Sequence, residues 1–435
     1  MTSFFARRTN WNLASNAYTC ALEEHRRAGR ELLDLTASNP TTIGLQYDEE
    51  KILQALARPE SRTYEPTAQG LLSAREAVAS YYADRGMVVS PDDLILTTST
   101  SEAYTFVFRL LCNPGDAVLV PTPSYPLFDF LAVLQDIELV PYELVYDHGW
   151  QMDFHPLEQA ASRRSSNPAL AQYRGKPNGT ARDWPQFKAV IVVHPNNPTG
   201  SFVKREEARR LGRLCGQNGW AIVSDEVFLD YHFMPESPIS FAATQDLEPP
   251  LTFTLSGLSK ISGLPQMKFA WVAVNGPKEL KRDALNRLEV IADTYLSMNA
   301  PVQLAVPALL NQRHSIQRQI AERLRSNLNE LDLRLASQAL CERLQLQGGW
   351  YAVLRVPATG PDEELAIALL QETGVLVQPG HFYDFAGDGY LVISLITPPE
   401  IFAAGVKRLL KFIDLRYTSR PPTAPFENGA GRHSP

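Results

Sequence analysis

No window of the 435 residues holds the roughly 18 consecutive apolar side chains needed to cross a bilayer, so the chain is expected to have no membrane partner. The opening stretch, MTSFFARRTNWNLASNAYTC, also lacks an apolar run of signal-peptide length, which makes the cytoplasm the expected compartment. Cysteine is scarce. Cys20, Cys112, Cys215 and Cys341 lie far apart, without the short paired spacing of a zinc site or redox dithiol, and are expected to be reduced core residues; no metal is expected. Basic charge is short as well. Lys and Arg number 41 against 48 Asp and Glu, a net charge of −7, which excludes the positive field that holds nucleic acid non-specifically. A small molecule is the expected partner.

What the sequence does have is a series of short apolar, β-branched runs between Asp93 and Asn275: DLILTT, AVLVPT, ELVPYEL, AVIVVHP, WAIVSDEV, LTFTLS and FAWVAVN. Most are nearly continuous rather than alternating, the pattern of strands covered on both faces, and helical patterns separate several of them. The expected fold class is therefore α/β, a mostly parallel seven-stranded sheet flanked by helices. LLSAREAVASYYADRG and KREEARRLGRLCGQNG read as two of the flanking helices. Beyond Met298 the pattern changes to a long helical region over 302–339 and three strand patterns, GWYAVLRVP, GVLVQPG and GYLVISLI, with a helix at 363–373 between the first two. That composition describes a smaller α+β domain. The expected division is an N-terminal segment 1–48 joining the small domain, a large domain 49–298, the small domain 299–416, and a disordered tail 417–435. The Ser-, Pro-, Gly- and Arg-rich stretch from Ser162 to Trp184 reads as a surface loop.

In an open α/β sheet, chemistry collects beyond the carboxyl ends of the strands. Four such ends are unusual here: AVIVV runs into HPNNPTG, WAIVS into DEVF, TFTLS into GLSK, and DLILTT into STSEA. Each alone reads equally well as a turn, a solvated strand end, an exposed turn lysine or a helix cap. All four at one edge of one sheet point to a site.

Together HPNNPTG, SDEV and SGLSK resemble the fold-type I, class I/II aminotransferases, which use pyridoxal 5′-phosphate, and the resemblance covers about residues 30–410. It implies that Lys260 forms a Schiff base with the cofactor and then shuttles the substrate's α-proton. It implies too that Asp225 pairs with the pyridine nitrogen, Asn197 bonds the 3′-oxygen and Tyr125 lies against the ring face. Ser99, Thr100 and Ser101, at the start of a helix, would receive the phosphate, with Ser256, Ser259 and Lys268 adding contacts; relatives usually carry arginine where Lys268 stands. Tyr64 resembles a tyrosine that crosses a homodimer interface to the neighbour's phosphate.

Two departures from the family stand out. Relatives usually read DEVY, whereas Phe228 here lacks the hydroxyl, which implies a higher Schiff-base pKa. Relatives read approximately GYVRIS, whereas Val392 takes the place of the arginine that grips the substrate carboxylate. Arg355 and His381 are possible replacements, and each also reads as an ordinary surface residue; Trp350 and Tyr351 either line the pocket or pack the core. The function implied is amino transfer from an amino acid or amine to an oxo acid by a ping-pong mechanism. A lyase, decarboxylase or oxidase on the same fold is the alternative, and a non-catalytic binding protein disagrees with the presence of both Lys260 and Asp225.

Overall fold

A computed structural model describes residues 4–162, 185–243 and 249–418. The surface loop expected at 162–184, apart from Ser162, and the tail beyond Thr418 lie outside the described residues. In chain order the strands are β1 (Leu33–Asp34), β2 (Leu94–Thr97), β3 (Ala117–Thr122), β4 (Glu138–Tyr146), β5 (Trp150–Met152), β6 (Phe187–Val193), β7 (Ala221–Asp225), β8 (Thr252–Gly257), β9 (Ala270–Asn275), β10 (Glu342–Arg343), β11 (Tyr351–Arg355), β12 (Val375–Leu376), β13 (Gln378–Pro379) and β14 (Tyr390–Ser394). The helices are α1 (Ala17–Arg27), α2 (Glu49–Leu56), α3 (Leu72–Ala83), α4 (Thr100–Leu111), α5 (Leu127–Leu134), α6 (Phe154–Ser162), α7 (Arg205–Asn218), α8 (Leu258–Ile261), α9 (Lys278–Tyr295), α10 (Ala300–Asn311), α11 (Arg313–Leu335), α12 (Asp362–Thr373) and α13 (Pro399–Thr418).

All seven apolar runs become strands of one sheet, in the order β2-β9-β8-β7-β6-β3-β4, and a short eighth strand, β5, is added at the edge. The pairs β4/β3, β3/β6, β6/β7 and β7/β8 are parallel; β9 runs antiparallel between β8 and β2. The eighth strand was hidden in the sequence because WQM is only three residues, folded back on β4 through His148 and Gly149, both with positive φ. Continuous apolar runs are needed because both faces are covered. Val118, Ile191, Val223 and Phe253 pack against α4, α5 and α9, while Leu119, Val190 and Ile222 pack on the other side with residues of α6 and α7.

The second sheet, β10-β11-β14-β13, is antiparallel and covered by α11, α12 and α13; beside it β1 pairs in parallel with β12, which ties the N-terminal segment to this half of the molecule. The long helical region expected at 302–339 is two helices that part at Gln312. No glycine or proline marks the break. The two pack on different partners: α10 against α2 and α3 in the cluster of the large sheet, α11 against α13. A domain boundary at 299 would assign α10 to the smaller unit. Trp150, Phe228 and Tyr231, from the large sheet and its loops, share one apolar cluster with the small sheet. The cysteines are all free, but only Cys215 and Cys341 are buried; Cys112 is half-buried and Cys20 exposed, because Cys20 falls on the outer side of α1. No described helix is long and apolar enough to cross a membrane.

Candidate active site

Parallel pairing fixes where the site residues emerge. Val193 of β6 lies opposite Asp225 of β7, and Asp225 opposite Leu255 of β8, so the three carboxyl ends leave the sheet side by side. β2 runs in the same direction, being antiparallel to β9, and delivers the start of α4 to the same edge.

β8 passes directly into the single turn α8, which carries Lys260. Gly257 at the junction admits no side chain, since a Cβ there would lie 2.8 Å from Phe269 O and 2.9 Å from Ala270 Cβ of the neighbouring strand. The Lys260 amine donates to Ser38 O at 3.3 Å and lies 4.7 Å from the centre of the Trp350 ring and 5.4 Å from that of Phe228. Tyr231 donates to the Lys260 carbonyl at 2.7 Å and so fixes the turn. Burial lowers the amine's pKa to about 8, and the charge of Asp225 opposes that shift.

Asp225 behaves in the mirror sense. Burial raises its pKa to about 6, resisted by hydrogen bonds from Val227 N at 3.2 Å and the Tyr104 hydroxyl at 3.3 Å, and by the Lys260 charge. An acid pushed up and an amine pushed down, each feeling the other's charge, bring both groups toward neutral pH, as perturbed groups at functional sites commonly are.

The two asparagines of HPNNPTG separate cleanly. Asn196 is fully used in the turn: Nδ2 donates to Pro123 O at 3.0 Å and Thr199 Oγ1 at 2.9 Å, and Oδ1 accepts from Ser124. Asn197 is buried, yet its Oδ1 has no partner. A buried amide oxygen without a bond is costly and points to a ligand. His194, earlier in the same motif, is structural. Its ring accepts from Val203 N and meets Ile239 O, and burial lowers its pKa to about 4, so it is neutral. Burial raises the Tyr125 pKa, Asp225 lies close enough for its charge to raise it further, and 46% of the Tyr125 surface is exposed.

At the start of α4 the Ser99 hydroxyl is already spent, accepting from Glu102 N at 3.2 Å as the helix cap, while the Glu102 carboxylate turns back to Thr98 N at 2.7 Å and the Ser297 hydroxyl at 2.9 Å. The N–H groups of Thr100 and Ser101, in the first turn, remain for an anion. Ser256 is buried within β8 with an unpartnered hydroxyl, Ser259 is half-buried on α8, and Lys268 and Tyr64 are exposed.

Of the proposed carboxylate receptors, neither joins this cluster. Arg355 lies at the exposed rim of β11, bonded to Glu342, and His381 is exposed and packs on Phe382. Val392 is fully buried in β14. Trp350 and Tyr351 do join it, around Phe228 at ring distances of 5.2 and 6.3 Å. Sequence reasoning missed Tyr104, Tyr231 and Ser38. Tyr104 alone carried a signal, one helical turn beyond Thr100 and Ser101 and hence on the same face of α4.

Comparison with known proteins shows the family. The family described as aminotransferase class I and II matches residues 11–404. Among curated relatives, a glutamate-pyruvate aminotransferase of Haemophilus influenzae is 25% identical over 88% of this chain and 91% of its own length. An aspartate/prephenate aminotransferase of Thermus thermophilus is 28% identical over 90% and 93%. Among solved structures, an alanine aminotransferase from Pyrococcus furiosus superposes with a TM-score of 0.79 at 22% identity, covering 94% of this chain and 99% of that one.

Proposed function

The chain belongs to the class I and II aminotransferases and is a transaminase, and from that premise we propose which residues do the work and on what. Its family implies dependence on pyridoxal 5′-phosphate. The residues fit that group: a half-exposed aromatic ring at Tyr125, a buried Asn197 amide with an unbonded oxygen, a carboxylate at Asp225 and the unspent N–H groups of α4. When bound, the cofactor supplies an electron sink that lets a proton leave the carbon bearing the substrate's amino group.

Everything else falls to the chain. Lys260 would hold the cofactor through Nζ and, when released by substrate, would take the departing proton on the same atom; an amine titrating at about 8 is partly uncharged at neutral pH and able to accept it. Trp350 and Phe228 flank that atom with aromatic rings. Asp225, oriented by Tyr104, supplies the negative charge beside the cofactor's ring nitrogen. Ser101, Thr100 and Lys268 receive the phosphate, and Tyr64, exposed on this chain, serves the second subunit of a homodimer.

Amino acids and oxo acids are the substrates, transferred between in two half-reactions, as the names of the relatives suggest. The observation that carries this reading is the Lys260–Asp225 pair, both pKa values displaced toward neutrality at the ends of adjacent strands. The test is to mix cofactor-loaded protein with alanine, glutamate and a panel of other amino acids in the absence of any oxo acid. Loss of the visible cofactor band to a near-ultraviolet band, with release of the matching oxo acid, is expected. Release of ammonia or carbon dioxide without that conversion would assign another reaction.

A further inference from the structure

The small sheet turns one face toward Lys260. Directly opposed residues of antiparallel strands project to the same side, as do residues two apart along a strand. The registers Tyr351↔Ser394, Val353↔Val392, Arg355↔Tyr390 and Gln378↔Val392 therefore place Tyr351, Val353, Arg355, Gln378, Val392 and Ser394 on one face. Two contacts show where that face looks. The Tyr351 ring lies 6.3 Å from Phe228, itself 5.4 Å from Lys260 Nζ. Ser394 donates to Ala37 O at 2.5 Å, and the next carbonyl along, Ser38 O, takes the Lys260 amine.

On this face Gln378 is the polar group beside Val392. Its Oε1 accepts the Tyr383 hydroxyl, and the Tyr383 carbonyl accepts Ser124 N at 2.9 Å, one residue before Tyr125. The pair thus sits at the seam between the small sheet and the Tyr125 loop. Held by its oxygen, Gln378 has both amide hydrogens left, and they meet no partner among the described residues. The single cation of the face, Arg355, is at the rim and already paired with Glu342.

We infer that Gln378, braced by Tyr383, is the residue that receives the substrate's carboxylate, through an uncharged amide donor in place of a guanidinium, so that a carboxamide is accepted there almost as well as a carboxylate. The inference rests on Lys260 being the reacting amine. An amide N–H bonds either acceptor, and the charged one gains only the difference between a charged and a neutral hydrogen bond, about 2- to 30-fold. A bidentate arginine would separate the two much further.

The experiment is calorimetric binding of two unreactive ligands, 3-phenylpropanoate and 3-phenylpropanamide, to the cofactor-loaded enzyme. Wild type is expected to hold the acid no more than about 30-fold tighter than the amide. Gln378→Met weakens the acid by about 10- to 100-fold and the amide by only severalfold, Gln378→Glu weakens the acid further still, and Val392→Arg tightens the acid alone. Tyr383→Phe, which leaves the glutamine in place but unbraced, weakens the acid less than Gln378→Met does. A larger preference for the acid in wild type, an unchanged pair of affinities in Gln378→Met, or no binding of either ligand overturns the inference. Failure of every amino acid to convert the cofactor would instead overturn the proposed reaction while leaving Lys260 as the reacting amine, and the calorimetry would still decide Gln378.

Discussion

Directly after Asp225, the chain buries a second carboxylate whose titration should be measurable in the folding of the cofactor-free protein. Glu226 is only 2% exposed and accepts from Ser240 Oγ at 2.6 Å, Phe241 N at 2.7 Å and Ser224 Oγ at 3.2 Å. Burial nevertheless raises its pKa from 4.5 to about 7, the hydrogen bonds and Arg85 opposing. The sign follows directly. Between 4.5 and 7 the folded protein holds this proton and the unfolded chain does not, so stability falls as pH rises through that window. A displacement of 2.5 units is worth about 3 kcal/mol, of which about 2.5 kcal/mol is lost between pH 5 and pH 8.5. Glu226→Gln removes the titration while keeping an oxygen for Phe241 N and Ser224, and Ser240 can reverse its bond to accept from the new amide. Asp225 titrates in the same direction in both proteins, so it cancels in the comparison. In urea unfolding, the variant minus wild-type stability of the cofactor-free protein should therefore be about 2–3 kcal/mol more favourable at pH 8.5 than at pH 5. A difference below about 1 kcal/mol, or one of opposite sign, refutes the argument.

Other perturbations test the site piece by piece. Asn196→Ala should lower stability by about 2–4 kcal/mol through its lost bonds to Pro123, Thr199 and Ser124, whereas Asn197→Ala should leave the cofactor-free melting temperature nearly unchanged and weaken cofactor binding; equal behaviour of the two would erase the distinction drawn between them. Gly200→Ala puts a Cβ 2.1 Å from Leu346 Cδ1 and 2.3 Å from Gly348 O at φ +66°, so a loss of at least about 2–3 kcal/mol and a displaced Trp350 loop are expected; thermal unfolding at the wild-type temperature would contradict this. Phe228→Tyr adds a hydroxyl beside the Lys260 amine, and the pH midpoint of the bound cofactor's visible absorbance should fall by about one unit; an unchanged or raised midpoint counts against it.

The large sheet was legible because its strands are buried on both faces, which leaves a continuous apolar signature at each of the seven runs. The ends of those strands were legible for a related reason: HPNNPTG, DEVF and GLSK interrupt apolar runs with polar, proline and glycine residues that a strand buried on both faces does not carry. What stayed hidden depends on register or on tertiary contact. Gln378 looks like any polar residue of GVLVQPG until β13 pairs with β14 and sets it beside Val392. Trp350 and Phe228 are distant in sequence, and only the meeting of the two sheets puts both rings on the Lys260 amine. The break at Gln312 carries no helix-stop residue, and the partners of α10 and α11 decide it. Arg355 shows the opposite failure. Its strand was read correctly, but its cross-strand neighbour Glu342 holds it at the rim, and nothing local to GGWYAVLRVP reveals that partner.

The central claim is that Lys260 is the amine that holds the cofactor. It is tested most directly by loading the protein with pyridoxal phosphate, reducing it with borohydride and mapping the modified peptide by mass spectrometry. The account predicts one stoichiometric adduct on Lys260, absent in Lys260→Ala. An adduct on Lys268 or another lysine, or none at all in a protein that retains turnover, would contradict it.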